Sequence, residues 1–295
     1  MRITLKQLQV FVNTAKAESI SIGAEKCFIS QAAASMSLSQ LESMLGITLF
    51  DRLGKRMKLN SNGQALLNQA IQIIDRVSEL ESFAYEDKPL AGKITIGAST
   101  TIANYILPKH LARFRNLYPN VEIELICDNT KEIIHKVETL TCDVGFVEGY
   151  CHNDCIESTI WQEDKLVIMS NINHPLANKK NLKITDLLEY NWVLREQGSG
   201  TFEIFSKAIK NHLPQLKKEI IFNNTEAIKQ YISNSQCLTC LSHAIVEQSW
   251  DATQYQILDT KDLNLKRNFY KLLHKTKYHT NLTQTFCHFL EEENI

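Results

Sequence analysis

The sequence predicts an α+β protein of several domains: a small helical head with a basic hairpin, one long helix, and a two-lobed α/β body. Three observations carry this. Within residues 19–63, apolar residues recur at helical spacing in two short segments joined by a tight turn. Over residues 63–86 they step alternately by four and three. From Lys93 onward, alternating stretches trade places with helical ones, the pattern of a parallel sheet covered by helices. At 295 residues, two or three domains are expected.

In the head, Leu5, Leu8, Phe11, Val12 and Ala15 share one helical face. Ser19 is placed to cap a short helix turning Ile20, Ala24 and Cys27 inward. Ile29 leads into a second helix capped by Ser30, where Ala34, Leu38, Leu41 and Leu45 make one buried stripe. The opposite face carries Ser30, Gln31, Ser35 and Ser39, with Ala32 and Met36 beside them. A face this small and rich in hydrogen-bonding groups suits a DNA major groove. Two short strands follow, turned at Gly54, with Arg52, Lys55, Arg56 and Lys58 placed to reach phosphates or the minor groove. Residues 1–65 carry a net +4 and the remainder −5, a basic head on an acidic body.

These residues also resemble a known family. Ser30-Gln31-x-Ala33-x-Ser35, Leu41-Glu42-x3-Gly46-x2-Leu49-Phe50-x-Arg52 and Leu59-x3-Gly63 stand at the spacing found in LysR-type transcriptional regulators. That family often has proline where this chain has Ala32, and arginine where it has Met36. The resemblance implies a winged helix-turn-helix at 1–61 and a dimer-making linker helix with its hinge at 62–90. It implies an effector domain at 91–295 resembling type 2 periplasmic binding proteins, with lobe I at 91–162 and 267–295 and lobe II at 163–266. It further implies sequence-specific binding of double-stranded promoter DNA as a homodimer or homotetramer, RNA polymerase as a partner, and modulation by a small effector between the lobes.

The seam of the long helix runs through Leu66, Ala70, Ile73, Val77, Leu80 and Ala84, a request for a partner helix. At 1.5 Å per residue it spans roughly 36 Å. In the body, strands are expected at 93–98, 121–126, 142–147, 165–169, 192–194, 219–222, 236–241 and 268–273. Helices are expected at 102–117, 130–140, 201–213, 225–234 and 282–292.

Ligands in open parallel sheets lie at the carboxyl ends of strands. Three such ends are rich in hydroxyls or amides and open a helix: Ser99-Thr100-Thr101, Asn129-Thr130, and the run from Arg195 through Gly198, Ser199 and Gly200 to Thr201. Helix starts favour anions, and Arg195 can hold an oxyanion through two parallel bonds. Thr225 opens another helix that closes the site, while Glu148 accepts a bond from the ligand or pairs with Arg195. The motif Arg-Glu-x-Gly-Ser-Gly-Thr is similar to one in the family branch that regulates sulfur assimilation and carbon fixation, which supports a small anionic effector and no other cofactor.

Other classes fit poorly. Gly198-Ser199-Gly200 lacks the spacing of a hydrolase nucleophile elbow, and the nine histidines show no metal-ligand pattern, so no enzyme is expected. Of the eight cysteines, the pair Cys237 and Cys240 has no second pair to complete a zinc set. No segment reaches the roughly 20 apolar residues of a membrane helix, and no signal-peptide run opens the chain, so a cytoplasmic protein is expected. The missing signal-peptide run and the fused reading head argue against a secreted solute-binding protein.

Overall fold

In a computed structural model, the chain is described at residues 2–53, 56–83, 90–149, 151–249, 251, 253–261 and 263–293, without the side chains of 52, 53, 56, 81–83, 248 and 249. The head packs α1 (Leu5–Ala17), α2 (Ile20–Lys26) and α3 (Gln31–Leu45) around Phe11, Ala34, Leu38, Leu41 and Leu49. Thr4, Ser19 and Ser30 each cap a helix start with the side-chain oxygen, and Gly46 ends α3 in the left-handed conformation. The wing is an antiparallel pair, β1 (Phe50–Leu53) and β2 (Arg56–Leu59). Gly54, Lys55, and the hinge residues up to Pro89 lie outside the described residues.

The long helix α4 (Ser61–Phe83) begins two residues before the expected start. Asn60 Oδ1 accepts from Gly63 N at 2.9 Å and supplies the cap. The expected seam divides. Ala70 is buried, with Leu67 and Ile71, against the head, and Leu66 packs on the same cluster. Ile73 is 46% and Leu80 68% exposed. Among the described seam residues, Ile73 and Leu80 therefore face outward for a partner, Val77 is half-buried, and Ala84 lies outside the described residues.

The body follows as β3 (Ala91–Ser99), a π-helical turn (Ile102–Ile106), α5 (Leu107–Leu117), β4 (Asn120–Asp128), α6 (Thr130–Glu138), β5 (Val144–Glu148) and β6 (Ile156–Asn171). The single helix expected at 102–117 is thus split, with Pro108 in the first turn of α5. Lobe II holds α7 (Ile184–Leu187), β7 (Asn191–Arg195), α8 (Gly200–Ala208), β8 (Lys217–Phe222), α9 (Thr225–Ser233), β9 (Thr239–Ser242), α10 (His243–Ser249) and β10 (Tyr255–Ile257). The chain returns through β11 (Lys266–His274) to α11 (Asn281–Glu292).

β3 pairs in parallel with β4 and β5, as the alternation predicts. β6 and β11 instead run antiparallel along their length and carry the chain between lobes. β6 is far longer than the expected 165–169, because its first half belongs to lobe I and its second half pairs with β9 and β10 of lobe II. Phe114, Phe146, Trp161 and Phe286 fill one face of lobe I. Trp192 and Phe205 centre lobe II, rings 4.9 Å apart.

The long helix and the body also touch directly. Along one face of α4, Asn68 and Gln72 donate to Thr276 at 2.7 and 2.6 Å. One turn on, Arg76 lies 4.7 Å from the ring of Tyr278. Tyr278 and the backbone of Asn281 both donate to Glu79, at 2.5 and 2.6 Å. Among the described residues, no helix is long and apolar enough to cross a membrane.

Candidate functional site

The outward face of α3 is held by the packing beneath it. Ala34, Leu38 and Leu41 are buried, which leaves Ser30, Gln31, Ala32, Met36 and Ser39 exposed and Ser35 half-buried. Ser30 accepts from Ala33 N at 3.2 Å, so its hydroxyl also caps the helix. Gln31 is tied to Ser21 of α2 at 3.1 Å. Arg52 and Arg56 lie on the paired strands of the wing, next to Met57 and Leu53 in register. Their side chains, and all of Lys55, lie outside the described residues.

The second candidate region is the cleft between the lobes. Ser99 ends β3, Glu148 ends β5 and Arg195 ends β7, so strand ends from both lobes meet there. The lobes are joined at its rims. Arg195 Nη2 donates to Thr100 Oγ1 at 3.3 Å, and Gly200 N donates to Thr130 Oγ1 at 3.3 Å. Lys131 N donates to Gly198 O at 3.2 Å. Tyr105 donates to Glu226 at the start of α9. Burial, followed by that bond, pushes the Tyr105 hydroxyl above its ordinary range, so it stays a donor.

Several predicted residues are engaged by the protein itself. Asn129 caps α6 through Glu132 N at 3.0 Å, and Ser199 caps α8 through Phe202 N at 3.2 Å. Gly198 has φ +90°, which favours glycine. At Gly200 a Cβ would lie 2.5 Å from Glu148 O. That glycine is there for close packing on β5, not for approach to a ligand.

One expectation is corrected, and one group is found engaged within the protein. Glu148 does not pair with Arg195; it meets Arg267 at 3.4 Å and accepts from Thr201 at 3.4 Å. Arg267 Nε also reaches Asp164 at 2.6 Å, and its side chain is wholly buried. The two-bond fork of Arg195 is engaged by its own neighbour: Nε and Nη2 donate to the two oxygens of Glu196, at 2.8 and 3.0 Å. Sequence reasoning missed Glu196, Asp164 and Arg267. Leu265, Arg267 and Phe269 are all buried at alternate positions, so a charge on a core-facing position was the available signal.

Four buried oxygens in this region have no hydrogen-bond partner among the described residues: Ser99 Oγ, Thr101 Oγ1, Thr225 Oγ1 and Glu148 Oε1. Buried polar atoms are ordinarily bonded, so each of these oxygens is open to a further partner. Three of the four are hydroxyls that can donate. Among the described residues no group of His, Cys, Asp or Glu is arranged to hold a metal, and all eight cysteines are free thiols.

A small head with an exposed recognition helix, joined through a rod to a two-lobed domain with a polar cleft, defines a ligand-responsive DNA-binding regulator. Residues 5–64 match the family of bacterial regulatory helix-turn-helix proteins of the lysR type, and residues 87–294 match the LysR substrate binding domain. The chain belongs to the LysR family of transcriptional regulators; it is a regulator rather than an enzyme. It is 35% identical over 295 residues to the HTH-type regulator YeiE of Escherichia coli K12, covering 100% of this chain and 99% of that protein. It resembles full-length OxyR from Pseudomonas aeruginosa, with TM-score 0.75, 16% identity and coverage of 98% and 97%. The regulatory domain of Synechocystis CcmR, solved in complex with 2-PG, matches with TM-score 0.64 and 27% identity, covering 68% of this chain and 97% of that one.

Proposed function

We propose that this regulator binds a small oxyanion between its lobes and that the bound anion changes how the paired heads hold promoter DNA. The observation that carries the reading is the Arg195–Thr100 contact across the lobes, with uncommitted buried hydroxyls on Ser99 and Thr101 either side of Thr100 in the chain and on Thr225 of lobe II. Hydroxyls, helix starts and a guanidinium together suit a carboxylate or phosphate. CcmR, a relative with a related regulatory domain, was solved with 2-PG, which accords with this chemistry. Ser99, Thr100, Thr101, Arg195 and Thr225 touch the anion. Asn129, Thr130, Glu148, Gly198, Ser199 and Thr201 shape the cleft around it.

On the DNA side, Gln31, Ala32, Ser35, Met36 and Ser39 face base edges, while Ser30, Arg52, Lys55 and Arg56 hold the backbone. The outward seam of α4 brings two copies together as a dimer, or a dimer of dimers, in the cytoplasm. Repositioned heads then alter recruitment of RNA polymerase. For the anion to act this way, it must prefer one lobe arrangement over the other.

The test is a melting screen of the full chain against small carboxylates, phosphates, inorganic anions and neutral polyols. Anions should raise Tm in the native chain and not in Arg195→Gln. A rise produced only by uncharged compounds contradicts the reading.

A further inference from the structure

We infer that Glu196 is a built-in counter-ion that an incoming anion must displace from Arg195, so that this one carboxylate sets both the affinity and the charge selectivity of the cleft. The inference rests on the oxyanion reading above and deepens it. Arg195 is 2% exposed and cannot leave, whereas the Glu196 side chain is 21% exposed and lies at the edge. Among the described residues, the Glu196 carboxylate bonds only to Arg195. It can therefore rotate toward water without breaking any other contact.

The charge balance makes displacement necessary. In the ion pairs of the cleft, Arg195 and Arg267 face Glu196, Glu148 and Asp164. Glu148 and Asp164 are held by the wholly buried Arg267 and have no route out. An anion added with Glu196 in place would set two carboxylates against one guanidinium in a desolvated site, where like charges repel strongly. Once Glu196 turns away, the anion inherits its two parallel bonds, while the Thr100 hydroxyl stays committed between Arg195 and Asp128 O. The uncommitted Ser99, Thr101 and Thr225 then offer bonds that Glu196 does not use. The exchange thus selects for a ligand with more than one acceptor oxygen. A ligand with a single weak acceptor cannot repay the loss of the Arg195–Glu196 pair.

Calorimetric titration of the full-length chain with sulfate, inorganic phosphate and acetate, in native protein, Glu196→Gln, Glu196→Ala and Arg195→Gln, tests this. Removing a competing internal carboxylate raises the fraction of binding-competent cleft, so both Glu196 variants should bind sulfate or phosphate about tenfold tighter or more. The fold gain should be about the same for all three anions, since it reflects the cleft and not the ligand, and Arg195→Gln should bind none of the three. If the Glu196 variants bind equally or more weakly while native binding still requires Arg195, Glu196 positions the arginine instead. The counter-ion inference then falls and the oxyanion reading stands. If Arg195→Gln binds as well as the native chain, the oxyanion reading itself falls.

Discussion

The residues of α3 proposed to meet DNA come from one contiguous stretch and lie on the side away from a packed core. The polar groups of the cleft come from segments as distant as Ser99 and Arg267 and stand inside. The difference sets what substitution does. On α3, function and stability reside on opposite faces, so a surface change alters binding and leaves the fold intact. In the cleft, the groups that would recognise a ligand share ion pairs with the groups that join the lobes. There a change in recognition is also a change in lobe geometry, which a sensor requires.

The largest expected effect breaks the cleft at Arg267. Arg267→Ala strands Glu148 and Asp164 without their cation and should cost about 3–5 kcal/mol in denaturant unfolding. By contrast, Gln31→Ala on the exposed face of α3 should change stability by less than about 0.5 kcal/mol while weakening promoter binding in a gel shift. Equal losses of stability at the two sites would erase the distinction.

Next in size is the outward half of the α4 seam. Ile73→Asp combined with Leu80→Asp should shift sedimentation toward monomer, since both positions are exposed in the single chain. DNA affinity should fall with it, because two heads no longer bind together.

Ser30→Ala removes a helix cap at the edge of the reading face and should cost about 1 kcal/mol by thermal melt. At this site in the head fold and recognition overlap. Met36→Arg goes the other way. It adds a cation on the reading face, long enough to reach a phosphate at the groove edge, and should then steepen the dependence of log affinity on log salt by about 0.9.

The smallest effect is with pH. Burial lowers the pKa of His110, His174, His274 and His279. The unfolded chain therefore takes up more protons below about pH 6.5, and stability should decline as pH falls through that range. The four lie in the body, so the isolated decline should be seen there and not in the head.

Legibility in the sequence followed the same division. The head was readable because its capping residues and buried stripe are local: Ser19, Ser30 and the spacing of Ala34, Leu38 and Leu41 fix it within one stretch. Most strands and helices of the body were readable too, through alternation and helix caps. The long crossover strand β6 was half missed, since its outer positions carry charge and its two halves serve different lobes. Arg195 and its hydroxyl neighbours could be nominated from helix starts. Their partners could not. Arg267 meets Glu148 and Thr201 only because β11 returns between β5 and β6, and no spacing in the chain encodes that meeting. The split of the α4 seam was likewise hidden, because an apolar stripe does not say which half its own head will cover.

The central claim is that the cleft senses and the head binds. The most direct measurement is a footprint of the full chain on promoter DNA, with and without an anion identified by the melting screen, in native protein and Arg195→Gln. The account predicts that the anion changes the native footprint, and that Arg195→Gln gives the anion-free footprint at native affinity under both conditions. Loss of DNA binding in Arg195→Gln, with the response to the anion retained, would contradict it.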